Sequence, residues 1–111
     1  MRVAIPTSDG KNISKHVALS KYFNIYENNQ LVSQIQNPLI ENIKESVPLH
    51  SHNGRGLGAG RIIPSLLARQ NVGAFLAREI GDGMRYNLEQ FGIKCIETQE
   101  KNIDEALKMI N

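Results

Sequence analysis

The stretch His50-Ser51-His52-Asn53-Gly54-Arg55-Gly56-Leu57-Gly58-Ala59-Gly60-Arg61 is where residue types and spacing first suggest chemistry. Gly54, Gly56, Gly58 and Gly60 alternate with other residues, which removes side-chain bulk and frees the backbone to take positive φ. Successive N–H groups leading into a helix N-terminus can cradle an anion, and Arg55 and Arg61 add positive charge to the same segment. His50 and His52, with His16 from an earlier loop, offer imidazole ligands. No carboxylate stands among them at metal-binding spacing, which argues against a closed zinc or calcium site. Residues 54–59 match Gly-x-Gly-x-x-Ala, but a dinucleotide fingerprint needs a strand immediately before it, and none is evident. No Lys-Ser/Thr pair follows to complete a P-loop. The plainer alternatives are a flexible loop and ordinary surface histidines.

Catalytic constellations are thin. No nucleophile has an adjacent base, and no carboxylate pair stands out; Asp9 and the Glu79–Asp82 turn could meet, but Asp82 reads as a helix cap. Cys95 is the single cysteine. It excludes an internal disulfide and a four-cysteine cluster site, and mid-strand it reads as a small core residue. The pattern suits holding a ligand more than transforming one, so no enzymatic activity is expected.

Charge is distributed unevenly. The net charge is +2, too small to imply nucleic acid. Between Leu49 and Arg85, however, five arginines (Arg55, Arg61, Arg69, Arg78, Arg85) face two acids, Glu79 and Asp82. From Tyr86 onward five acids outnumber three lysines. A solvated face accounts for such asymmetry as readily as a binding surface does.

These residues must be placed by a single domain spanning 1–111, since 111 residues leave no room for a second. Apolar residues at 41% and charged ones at 22% are ordinary globular composition. No signal peptide or long apolar run is present, so a cytoplasmic location without membrane contact is expected. Arg2–Pro6 reads as a first strand and 7–20 as a long polar loop. Tyr22–Tyr26 and Leu31–Gln36 form a hairpin about Glu27-Asn28-Asn29-Gln30. Residues 39–60 are irregular, a length that is usually functional or disordered. Arg61–Gln70 has helical apolar spacing with Pro64 placed in the first turn, and Asn71–Ala77 is a continuous apolar strand. Asp82–Phe91 is a second helix, capped by Asp82 and stopped by Gly92. Ile93–Thr98 is a strand, and 103–110 a third helix with Asn102 and Glu105 at its start.

The order β-β-β-α-β-α-β-α makes the later strands parallel through right-handed crossovers, and the hairpin makes strand two antiparallel. Each helix then starts at the C-terminal edge of the parallel strands. The loop 7–20, the glycine loop and the Arg78–Gly83 turn, with Gly81 and Gly83, all reach that edge, where open α/β sheets bind ligands.

The chain also resembles the dinitrogenase iron–molybdenum cofactor biosynthesis family, which includes NifX- and NafY-type carriers and the C-terminal part of NifB. The resemblance is carried by Arg2–Thr7, by Ile13-Ser14-Lys15-His16-Val17, and by Tyr22-Phe23. It continues through Gly58-Ala59-Gly60, Leu66-Leu67, Val72-Gly73, Ile80-Gly81, Gly92-Ile93-Lys94 and Asp104–Leu107. Val17-Ala18 replaces the family's phenylalanine–glycine, and Arg78-Glu79 stands where small residues are common. The resemblance implies a ribonuclease H-like α/β fold, with a mixed five-stranded sheet in the order 3-2-1-4-5 and three helices. It implies binding, storage or transfer of an iron–sulfur or molybdenum-containing metal–sulfur cluster, with cluster-assembly proteins as partners. Such clusters are anionic, which suits the loop N–H groups and arginines. The family's first-loop histidine falls on His16, the candidate direct metal ligand. A protein-interaction module and a small anion- or nucleotide-binding domain are the competing readings.

Overall fold

The structure is a computed structural model describing residues 1–40 and 59–110. Five strands form one mixed sheet: β1 (Arg2–Thr7), β2 (Tyr22–Glu27), β3 (Gln30–Gln36), β4 (Val72–Ala77) and β5 (Lys94–Glu97). Their order is β3-β2-β1-β4-β5. β2 is antiparallel to both neighbours, while β1, β4 and β5 are parallel. The described helices are α1 (Ala59–Arg69), α2 (Asp82–Gln90), α3 (Ile103–Met109) and one 3-10 turn, Val17–Leu19; residues 38–40 are helical as well, where the sequence reading expected irregular chain from 39 and three helices in all. That turn, inside the first long loop, is an element the sequence reading did not anticipate.

Local chemistry explains most boundaries. Asn28 and Asn29 take φ of 54° and 66°, the paired left-handed residues that a two-residue hairpin turn demands and that asparagine tolerates. Helix α2 ends in a full Schellman motif. Gly92 sits at φ +76°, its N–H bonds the Glu89 carbonyl at 3.0 Å, and the Ile93 N–H bonds Leu88 at 2.9 Å. Helix α3 starts as expected, with the Asn102 side chain accepting from the Glu105 N–H.

Two expectations at helix starts need correction. The N-cap of α2 is Gly81, in extended conformation, and Asp82 is the first helical residue. Asp82 therefore acts on the helix dipole instead of closing a capping hydrogen bond. Helix α1 is already helical at Ala59, so Pro64 lies past its first turn. There the proline leaves the Gly60 carbonyl without its usual i+4 donor. Asn87 of α2 fills the gap, its Nδ2 donating to Gly60 O at 2.7 Å. The interruption in α1 thus becomes a tie between the two helices.

The sheet has a core on each face. On one side α1 and α2 cover Ala4, Phe23, Ile25, Val72, Phe75 and Ala77 with Ile63, Leu67, Met84 and Leu88. Phe23 and Phe75 meet there with centroids 6.4 Å apart and rings tilted by 57°, over the strand that carries small Ala4. Such a pair adds about 1 kcal/mol beyond its area burial. On the other side α3 packs Ile103, Ala106 and Leu107 on Ile5, Ile13, Tyr26 and Leu76. No described helix is long and apolar enough to cross a membrane.

Candidate functional site

The loop after β1 is built to cross the C-terminal edge of the sheet. Ile13 is buried in the core beneath α3, and Val17 in the core beneath α1 and α2. Residues 14–16 therefore pass from one face to the other over the strand ends. His16 stands at the end of this crossing, exposed, as the residue that starts the 3-10 turn.

Hydrogen bonds fix the crossing at several points. Asp9 accepts from the Lys11 and Asn12 N–H groups, both at 2.8 Å, and from Asn12 Nδ2 at 2.8 Å. These backbone donors hold its carboxyl well below the usual carboxylate range. Thr7 Oγ1 accepts from the Gly10 N–H at 2.9 Å. The Ile13 N–H donates to Lys101 O at 2.7 Å, and the Ile103 N–H to Lys11 O at 2.9 Å. On the far side, buried Asn37 donates from Nδ2 to the carbonyls of Ala18 at 3.1 Å and Ser20 at 2.8 Å. Asn37 is a positioning residue that the sequence reading treated only as the end of a strand.

β1 and β4 form the crevice beneath this loop. They pair through Arg2, Val3 and Ala4 only. Pro6, near the end of β1, has no N–H to continue such a ladder. The connection after β1 leads to β2 on one side, and the connection after β4 leads to β5 on the other. Neighbouring parallel strands whose connections diverge mark a topological switch point, the preferred binding crevice of open α/β sheets.

The N-termini of α1 and α2 meet at the same edge. A Cβ on Gly60 would lie 3.6 Å from the Met84 N and 3.8 Å from the Gly83 carbonyl carbon, so the two helix starts lie close enough for a methyl group at position 60 to meet the α2 backbone. Gly81 offers no side chain to cap α2, and its first-turn N–H groups point away from the helix body. Ile80 and Met84 share the buried cluster of Val17, which ties this turn to the residue next to His16. The Ile80 N–H is taken, however, by Glu97 Oε2 at 2.9 Å, which also pairs with Arg85 Nη2 at 3.2 Å. Arg85 is thus engaged in the fold and withdrawn from the basic set.

Of the residues singled out in the sequence, His16, Gly60, Gly81 and Gly83 fall at this edge. His50, His52, Gly54, Arg55, Gly56 and Gly58 lie outside the described residues. The reading missed the lysines: Lys11, Lys15 and Lys21 are all exposed on the crossing loop, and Lys101 on the connection bonded to it. Their signal was present in the sequence as three lysines against one acid, Asp9, between residues 8 and 21. Among the described residues no three His, Cys, Asp or Glu side chains gather to hold a metal ion. Cys95 packs partly buried against the α1–α2 core, and burial pushes its thiol up.

The edge therefore combines an imidazole, a lysine-bearing loop and an uncapped helix start at a switch-point crevice. Comparison with known proteins gives this arrangement its context. The sequence profile described as dinitrogenase iron-molybdenum cofactor matches residues 1–111. The chain belongs to that family. It is 30% identical to an uncharacterised protein of Methanocaldococcus jannaschii over 109 residues, covering 98% of this chain and 84% of the relative. Solved structures share the fold at lower identity. The solution structure of a candidate NifB protein from Thermotoga has a TM-score of 0.70 at 21% identity, covering 98% of this chain and 85% of that one. The apo form of the orange protein from Desulfovibrio gigas has a TM-score of 0.72 at 16% identity, with the same coverage of 98% and 85%. Family membership relates the chain to biosynthesis or binding of the iron–molybdenum cofactor.

Proposed function

We propose that this protein is a non-catalytic carrier that binds, stores or hands on an anionic metal–sulfur cluster at the C-terminal edge of its sheet. The observation that carries the reading is the passage of the first loop over the β1–β4 crevice: exposed His16 adjoins Val17, which shares a buried cluster with Ile80 and Met84 at the uncapped start of α2, and Lys11, Lys15 and Lys21 are exposed on the same loop. A sulfide-rich anion gains there from the lysine charges and the helix dipole. Its metal gains from a neutral imidazole. His16 is the proposed direct ligand, and Gly60, Gly81 and Gly83 let backbone approach the cargo. Cluster-assembly proteins are the proposed donors and acceptors, and the ribonuclease H-like description of the fold belongs to the same reading.

Anaerobic incubation with iron, molybdate and sulfide, followed by desalting, tests this. Wild type is expected to retain a visible charge-transfer spectrum, and His16→Ala to lose most of it. Cys95→Ala should retain it, since the half-buried thiol packs against α2 on β5, away from the first loop. A colourless wild type, or a spectrum that depends on Cys95 and ignores His16, overturns the reading.

A further inference from the structure

The outer surface of the α1–α2 layer carries two stripes that complement each other. On α1, an open groove of about 680 Å³ is lined by Arg61, Ile62, Ser65, Leu66 and Arg69, with Pro38 at its side. Arginines stand at its two ends and apolar side chains between them. On α2, Asp82, Tyr86 and Glu89 are exposed at the spacing i, i+4, i+7, one stripe of a helix. Tyr86 leaves 63% of its surface accessible between the two acids. Among the described residues none of Arg61, Arg69, Asp82 and Glu89 forms an ion pair.

The two stripes match in length as well as sign. Arg61 and Arg69 are separated by about 12 Å of helix, Asp82 and Glu89 by about 10 Å. Both helices start at the same edge of the sheet, so they run side by side in one direction. A two-fold axis lying between them and along them sets α1 of one copy on α2 of the other, in parallel, and repeats the contact reciprocally. With Gly60 level with Met84, Arg61 then stands about one helical turn from the partner's Asp82, and Arg69 about one turn from the partner's Glu89, within the reach of the long arginine side chains. We propose that this layer is a two-fold, self-complementary interface with a second copy of the chain, each Tyr86 seated in the partner's groove. An aromatic anchor in an apolar groove, flanked by charge pairs, is the usual make-up of such contacts. The second copy is the favoured occupant because one layer carries both the cationic groove and the acidic stripe that fills it.

Sedimentation velocity on the full chain across a concentration series tests the idea, with Arg69→Glu and Glu89→Arg examined separately and mixed. Wild type is expected to dimerise, more weakly as salt rises. Each single reversal sets like charges together at both contacts and should raise the dimer Kd at least about tenfold. An equal mixture should recover the dimer, because both contacts between unlike copies then pair opposite charges. A wild type that stays monomeric throughout overturns the proposal. So do single variants that dimerise like wild type, or a folded mixture that does not recover. If circular dichroism shows either reversal unfolded, Tyr86→Ser, a change at an exposed position, decides in its place: a weakened dimer supports the interface and an unchanged one rejects it.

Discussion

Asn87 Nδ2 lies 2.7 Å from the carbonyl oxygen of Gly60, the acceptor that Pro64, four residues further along α1, has no N–H to fill. One side chain therefore repairs a helix other than its own. It does so beside the point where α1 at Gly60 approaches the backbone of α2 at Met84, so the repair also fixes how the two helix starts meet.

Asn87→Ala should cost about 1–2 kcal/mol in urea unfolding, the range for a partly buried carbonyl left without a donor. In a Pro64→Ala background the restored N–H serves Gly60, and Asn87→Ala should then cost measurably less. Equal losses in both backgrounds would show that the two residues are not coupled.

Gly81→Asp separates stability from binding. The new carboxylate supplies the side-chain cap that α2 lacks and sits at the positive end of its dipole, a gain of about 0.5 kcal/mol. The same charge should repel an anionic cluster. The variant is expected to melt higher and load less; a variant that loads as well as wild type would remove the α2 start from the site.

Asp9 sets the response of the first loop to acid. Its carboxyl is held low by the Asn12 and Lys11 backbone donors, so its contribution is present above the unfolded-state pKa, roughly 4. That contribution is lost as pH falls through the lower folded-state value. Urea midpoints measured from neutral pH downward should fall in the acid limb for wild type. Asp9→Asn should be less stable at neutral pH and flatter below roughly pH 4.

The antiparallel β2 and the placement of every strand were legible because the local signals were strong, whereas the strand order was expected from the family resemblance. Val3 and Ile5 alternate ahead of Pro6, Asn28-Asn29 marks a tight turn, and 72–77 is unbroken apolar chain. Gly92 and Asn102 announced helix ends through backbone chemistry that is local to them. What was illegible depended on contacts distant in sequence. Pro64 read as a first-turn residue because proline favours that position, and only Asn87, from another helix, makes its actual place tolerable. The 3-10 turn at Val17–Leu19 is held by Asn37, about twenty residues away, and no periodicity announces it. At the site, His16 and the glycines were visible as types. The lysines of 8–21 were overlooked because attention fell on the arginines, and Arg85 was overcounted because its partner Glu97 comes from another strand.

The ties from Ile13 to Lys101 and from Ile103 to Lys11 join the first loop to the entry of the last helix. Those amides should consequently exchange with solvent deuterium as one cooperative opening unit, although ninety residues separate them in sequence. Loosening α3 would free the loop as far as Ile13, while Val17 and the Asn37 bonds keep the His16 end fastened to the opposite core. The two ends of the crossing are thus fastened to opposite faces of the sheet and can be unfastened one at a time.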